Sequence, residues 1–307
     1  MNWSRLDYVL TSVPLWTVAV GLFGSMAAAA YIALQARQRR ERTRPLTKEE
    51  IEESKTPEAY IVSAVLGLLA LLLGFTFSLA VDRFDARRGL VRQEATAIGA
   101  VYFRAQLLGQ PNRERTSALL SQYLDNRIVL ARAPNEQRPE LLAKNDALIN
   151  DIWAATAAAL DDIKCYDWSS TYLDSVSEII ALDASRKAAR IARVPAEVFI
   201  VLIIYMVTTA AVLGYVLRGK GGRISAAFLL ALLTLTLVMI IDIDGPLGGA
   251  VFESQRPMEL LQARIATHPP RVFQKWRSAQ PGKPSAGSCS GSPHSPPSSE
   301  VQTFLSR

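Results

Sequence analysis

YIVSAVLGLLALLLGFTFSLAV, Tyr60 to Val81, is a run of 22 residues without one Asp, Glu, Lys, Arg or His. At ~1.5 Å of rise per residue it spans roughly 33 Å as a helix, the thickness of a bilayer's hydrocarbon core. Buried helices of soluble domains rarely run that far without a charge, so the segment reads as a membrane span. Pro14 to Leu34 (21 residues), Val198 to Leu217 (20) and Ile224 to Ile241 (18) share the property. The expected fold is therefore all-α, a polytopic membrane protein with four transmembrane helices.

The composition agrees. The 307 residues are 50% hydrophobic and 20% charged, with a mean hydropathy of +0.15, more apolar than a water-facing globule of this size requires. The 34 Lys+Arg against 28 Asp+Glu give +6. These basic residues cluster beside the apolar runs instead of forming one broad patch, which argues against nucleic acid as a partner and for the lipid bilayer. Cys165 and Cys289, 124 positions apart, give neither a disulfide framework nor a zinc spacing, and His268 and His294 leave no triad to build. No cofactor is implied.

The first run also has features of a cleaved signal peptide, with small residues at Ala27 to Ala30. The arginines that follow it, Arg37, Arg39, Arg40, Arg42 and Arg44, form a stop-transfer cluster and keep it in the mature chain. Lys/Arg counts set the orientation: one before the first span, seven between Gln35 and Ala59, and three between Arg218 and Arg223. Both basic loops then belong in the cytoplasm, and Asp82 to Glu197 faces outward. Seven more Lys/Arg after the fourth span pull the other way.

Beyond Val81 the chain continues as helices. No proline interrupts Tyr60 to Leu108, and Phe84, Val91, Ile98, Val101, Ala105 and Leu108 carry an apolar stripe past the membrane edge, so the second span projects as one long helix. Gln110-Pro111-Asn112 breaks it. Leu119, Leu120, Tyr123, Leu124 and Ile128 form the next helical stripe, Pro134 and Pro139 interrupt again, and Leu148, Ile152 and Leu160 form another. A polar turn, Asp161 to Ser170, precedes Tyr172, Val176 and Ile179 on a helix that ends before Pro195. The domain boundaries expected are 1–82 for the first two spans, 83–197 for an all-helical extramembrane domain inserted between spans two and three, 198–261 for the last two spans, and 262–307 for a disordered tail rich in Ser, Pro and Gly.

Two places carry candidate chemistry. At the exit of the second span, Phe75, Thr76, Phe77 and Ser78 put aromatic and hydroxyl groups in the membrane, and Arg83, Arg87 and Arg88 form a collar beyond them. In a pore the hydroxyls line the wall and the arginines gather anions at its mouth; in the plainer reading the arginines meet lipid phosphates and pair with Asp82 and Asp85. At the end of the fourth span, Asp242 and Asp244 stand in Ile-Asp-Ile-Asp-Gly-Pro with Gly245, Gly248 and Gly249 nearby. They offer oxygen ligands to a cation, or simply stop the helix at the interface. A helix C-terminus already carries partial negative charge, so two carboxylates there call for a cationic neighbour, either an arginine of the collar such as Arg83 or Arg87 or a bound metal.

The spans hold no ionisable group, which disfavours ion-coupled transport. Asp161, Asp162, Lys164 and Cys165 have no base, oxyanion cradle or metal set beside them, so the chain reads as a non-enzyme.

The stretch from Leu73-Gly74-Phe75-Thr76-Phe77-Ser78 to Asp85-Ala86-Arg87-Arg88, with Glu94-Ala95-Thr96-Ala97-Ile98-Gly99, resembles the opening of the bacterial bestrophin-like domain family of unknown function. Glu178-Ile179-Ile180 with Arg186 and Arg190, the proline before the third span, and Ile241 to Pro246 with Ser254-Gln255-Arg256-Pro257 are similar to it as well. The likeness covers about Pro14 to Leu261. Family members commonly carry arginine where this chain has Gly245, which removes a positive charge from the mouth. The resemblance implies kinship with bestrophins, pentameric anion channels with four spans per subunit. It therefore implies a homo-oligomer in the cell inner membrane that passes small anions; a non-conducting membrane scaffold or sensor whose helical domain binds a partner stays beside it. It also implies a helical region in the cytoplasm, opposite to the orientation from the charge count.

Overall fold

The computed structural model describes residues 14–43, 48–245 and 253–278. Every regular element among them is helical: α1 Leu15–Thr43, α2 Lys48–Ala105, α3 Asn112–Arg132, α4 Arg138–Ile163, α5 Trp168–Ile191, α6 Ala196–Val216, α7 Gly219–Asp244, α8 Arg256–Thr267 and α9 Pro270–Ser278. Four helical stretches are long and apolar enough to cross a membrane, Leu15–Thr43, Thr56–Ala105, Trp168–Val216 and Gly219–Asp244. The expected long second helix is there, running without a break to Ala105.

The sequence punctuates the helices for physical reasons. Ala133 is extended, at φ −67° and ψ 138°, because the following Pro134 excludes the helical region for it, and α3 stops. Pro139 sits in the first turn of α4 and Pro195 precedes α6, positions where a missing N–H costs nothing. Gly219 opens α7 at φ +74°, which a side chain would resist.

The chain divides into two compact units. Unit 1 is residues 1–90 with 185–254, and unit 2 is residues 91–184 with 255–307. In unit 1, α1 packs on α6 and α7, and α6 on α7. Their facing sides meet α2 in one apolar cluster built on Leu22 and Met26, Leu69 and Leu73, Leu202 and Met206, and Leu230 and Leu237. The spacing of four or seven residues within each set is what puts it on one face.

Lipid tails are as apolar as leucine, so close packing holds such helices together more than burial does. Gly214 of α6 lies close against Ala30 of α1, where a Cβ built on Gly214 would lie 2.2 Å from the Ala30 carbonyl oxygen. Gly214→Val should therefore separate α1 from α6 at a cost of about 1–3 kcal/mol, read as a lower midpoint in thermal unfolding. A Cβ on Gly74 meets nothing within 4 Å, so Gly74→Ala should leave the midpoint unchanged or raise it, since alanine favours a helix by about 1 kcal/mol over glycine.

In unit 2, α3 packs against α4, α8 and α9. This differs from the boundaries expected from sequence, which ended the helical domain at 197 and began a disordered tail at 262. Helix continues to Ser278, and Met258, Leu261 and Ile265 of α8 are buried. Leu261 reaches Gly99 of α2, the Tyr102 hydroxyl donates to the His268 carbonyl at 2.9 Å, and Phe273 meets Phe103 edge-on. The helical unit thus includes a C-terminal piece that the Gly/Pro-rich break before Arg256 conceals. Cys165 is disulfide-bonded. The remainder of the expected tail, 279–307, lies outside the described residues.

Candidate functional site

Position on the α2 helix decides which of the candidate residues face outward. Leu69, Leu73, Thr76, Ala80 and Arg87 follow one another at three, four and seven residues and are all buried. Phe75 is 63% exposed and Phe77 39%, and Ser78 and Arg88 are exposed too. Arg83 is half-buried.

Thr76 is 4% exposed and its hydroxyl donates to the Leu72 carbonyl at 2.8 Å. The same periodicity buries Arg87, which is 3% exposed. Asp82 and Asp85 do not pair with an arginine among the described residues; both are simply exposed.

Arg87 instead closes the end of α7. Its guanidinium donates to the Ile243 carbonyl at 2.8 Å and the Asp244 carbonyl at 3.4 Å, and stands 2.9 Å from the Glu253 carboxylate. Those carbonyls belong to the last turn, which has no partner within its own helix and carries the negative end of the dipole, so a buried cation there satisfies both. The Asp244 carboxylate accepts from the Val194 N–H at 3.1 Å and 3.2 Å, at the turn before α6. Arg83, Arg87 and Arg193 are within Coulombic reach of it. Asp242 is buried beside it in sequence, 8% exposed.

The arrangement ties three segments, α2, the end of α7 and the turn into α6, through one guanidinium and one carboxylate. Among the described residues no three acidic, His or Cys side chains come together as a metal site would require. Gly248 and Gly249, expected to help hold a cation, lie outside the described residues. The sequence led to the expectation that Asp242 and Asp244 face an arginine such as Arg83 or Arg87, or a bound cation; it did not show that Arg87 binds main-chain carbonyls, nor the part of Val194, since a backbone N–H carries no sequence signal.

The model of the bestrophin-like domain matches residues 27–257. The chain belongs to the bestrophin-like family. No curated protein matches it. Among solved structures it is similar to a bacterial bestrophin homologue from Klebsiella pneumoniae carrying a point mutation, at TM-score 0.60 and 14% identity over 87% of this chain and 99% of that one. A Klebsiella pneumoniae bestrophin homologue phased on zinc is similar at TM-score 0.56 and 15% identity, over 85% of this chain and 99% of that one. At such identities the likeness establishes the fold.

This bestrophin-like chain also holds, in unit 2, a buried charge network that sequence reading did not find. Arg127 of α3 forks onto Glu94 of α2, with both contacts at 3.0 Å, and reaches Asp183 of α5 at 3.2 Å. Asn145 of α4 donates to Asp183 at 2.9 Å, and the Tyr123 hydroxyl donates to Glu94. Glu94 is fully buried and Arg127 is 5% exposed. Burial works against the guanidinium's charge, but Glu94, then Tyr123 and Asp183, outweigh it and raise its pKa above the ordinary arginine value. The Tyr123 phenol is pushed well above its ordinary range, first by burial and then by the Glu94 charge, so it remains a neutral donor. Two carboxylates face one guanidinium, and four helices are pinned in one register.

Proposed function

We propose that this protein is one subunit of a homo-oligomeric channel for small anions in the cell inner membrane. Membership of the bestrophin-like family across residues 27–257, a range that takes in most of all four apolar stretches, carries the reading. In this arrangement α3, α4 and α5 form an extramembrane region inserted between the second and third spans. The exposed face of α2 lines the pathway with Phe75, Phe77 and Ser78, and Arg88, with Arg83 behind it, attracts anions at the mouth. The uncharged spans suit passive conduction, because coupled transport keeps an ionisable group within the bilayer.

Purified protein in planar bilayers should carry current whose reversal potential follows the chloride gradient. Arg88→Glu should shift that potential toward the cation value without changing the thermal midpoint, since Arg88 is exposed. Absence of current from protein that native mass spectrometry shows to be monomeric would overturn the channel and leave a non-conducting membrane scaffold.

A further inference from the structure

Unit 1 has a second feature, far along the sequence from the α2 exit. An apolar groove of about 190 Å³ runs where α1, α6 and α7 meet. Phe23, Ala27 and Leu34 line it from α1, Gly214 forms part of its floor, and Leu230 closes it from α7. From Phe23 to Leu34 the groove follows α1 for about 16 Å at ~1.5 Å per residue, a length along which an acyl chain can lie. Among the described residues its one charged lining residue is Arg223, in the first turns of α7.

The other basic groups at this end differ in how they are engaged. Arg37 pairs with Glu41 at 2.8 Å and donates to the Tyr215 carbonyl at 3.0 Å, Arg40 donates to the Tyr215 hydroxyl at 2.9 Å, and Arg218 stands 3.6 Å from Glu58. Arg223 is exposed and makes no hydrogen bond or ion pair among the described residues. Lys220 beside it is exposed as well, and the N-terminus of α7 has no side-chain cap, so its first amides add positive potential. An apolar slot that ends at a free guanidinium matches a molecule with a hydrocarbon tail and an anionic head.

We infer that this groove is a binding site for an anionic phospholipid, one acyl chain lying between α1 and α7 and the phosphate meeting Arg223 and Lys220. The inference rests on the membrane placement of unit 1 and not on conduction, so a silent channel leaves it intact. A free phosphate has no use for the apolar slot, and a zwitterionic lipid brings no net charge to the arginine.

Native mass spectrometry of the full chain in detergent, with phosphatidylglycerol and phosphatidylcholine of identical acyl chains at equal concentration, tests it. Wild type should retain phosphatidylglycerol about fivefold over phosphatidylcholine, the worth of roughly one basic residue at an anionic surface. Arg223→Gln should bring the ratio to about one, Arg223→Lys should keep it, and Arg115→Gln, which removes an exposed charge in unit 2, should not alter it. Ala227→Phe, which fills the groove from an exposed position, should reduce retention of both lipids. Excess inorganic phosphate should not displace the bound lipid. Equal retention of the two lipids by wild type, an unchanged preference in Arg223→Gln, or displacement by inorganic phosphate would overturn the site.

Discussion

Arg87→Met is expected to destabilise the protein by about 3–5 kcal/mol, the usual cost of removing one partner from a buried ion pair. The substitution preserves most of the side-chain volume, so the loss reports on charge and hydrogen bonding and not on a cavity. It takes the guanidinium from beside the Glu253 carboxylate, 10% exposed at its side chain, and removes the donor from the Ile243 and Asp244 carbonyls. Arg87→Lys should recover less than half, because an ammonium cannot reach two carbonyls and a carboxylate with a fixed planar fork. The control is Asp161→Asn with Asp162→Asn. Both side chains are exposed, Lys164 stands 3.7 Å from Asp161, and Asn112 donates to Asp162 at the surface, so the double variant should cost under about 1 kcal/mol. Equal midpoints for Arg87→Met and the aspartate pair, in thermal unfolding of detergent-solubilised protein, would remove Arg87 from its place at the end of α7.

The four apolar stretches and the breaks between them were legible because each follows from a one-dimensional property: absence of charge over 18 to 22 residues, or a proline at a helix start. The long α2 helix was legible for the same reason, since Tyr60 to Leu108 holds nothing to stop it. The face of each residue on that helix was harder. Thr76 and Ser78 look alike as hydroxyls in a membrane, yet two residues amount to about 200° of rotation at 3.6 residues per turn, and only one of them is exposed. Arg87 and Arg88 differ by one position and part in the same way. Glu94 was visible as part of a family pattern, but its partner Arg127 is 33 residues away on another helix, and Arg127 reads on its own as one more surface arginine. The α8 residues Met258, Leu261 and Ile265 recur at helical spacing, but the boundary expected at 261 divides them, leaving Met258 and Leu261 with the last two spans and Ile265 in the tail.

The buried network should show the largest coupling in the molecule. Arg127→Met leaves Glu94 and Asp183 in the helical unit without their shared guanidinium, and two buried carboxylates near one another cannot both stay charged at low cost. The expected loss is at least about 3–5 kcal/mol, enough to take much of the stability of a marginal domain. Glu94→Gln alone should also be costly, because it weakens the fork and replaces the acceptor of the Tyr123 hydroxyl. Combined, the two should cost less than their sum by about 1–3 kcal/mol, since the Glu94–Arg127 contact that each single change breaks can be lost only once, while Asp183 loses Arg127 in both the Arg127→Met and the double variant. Four thermal or denaturant unfolding curves, wild type, both singles and the double, measure that difference. Simple additivity would mean that Glu94 and Arg127 act independently and that the register of α2 against α3 is set by apolar packing alone.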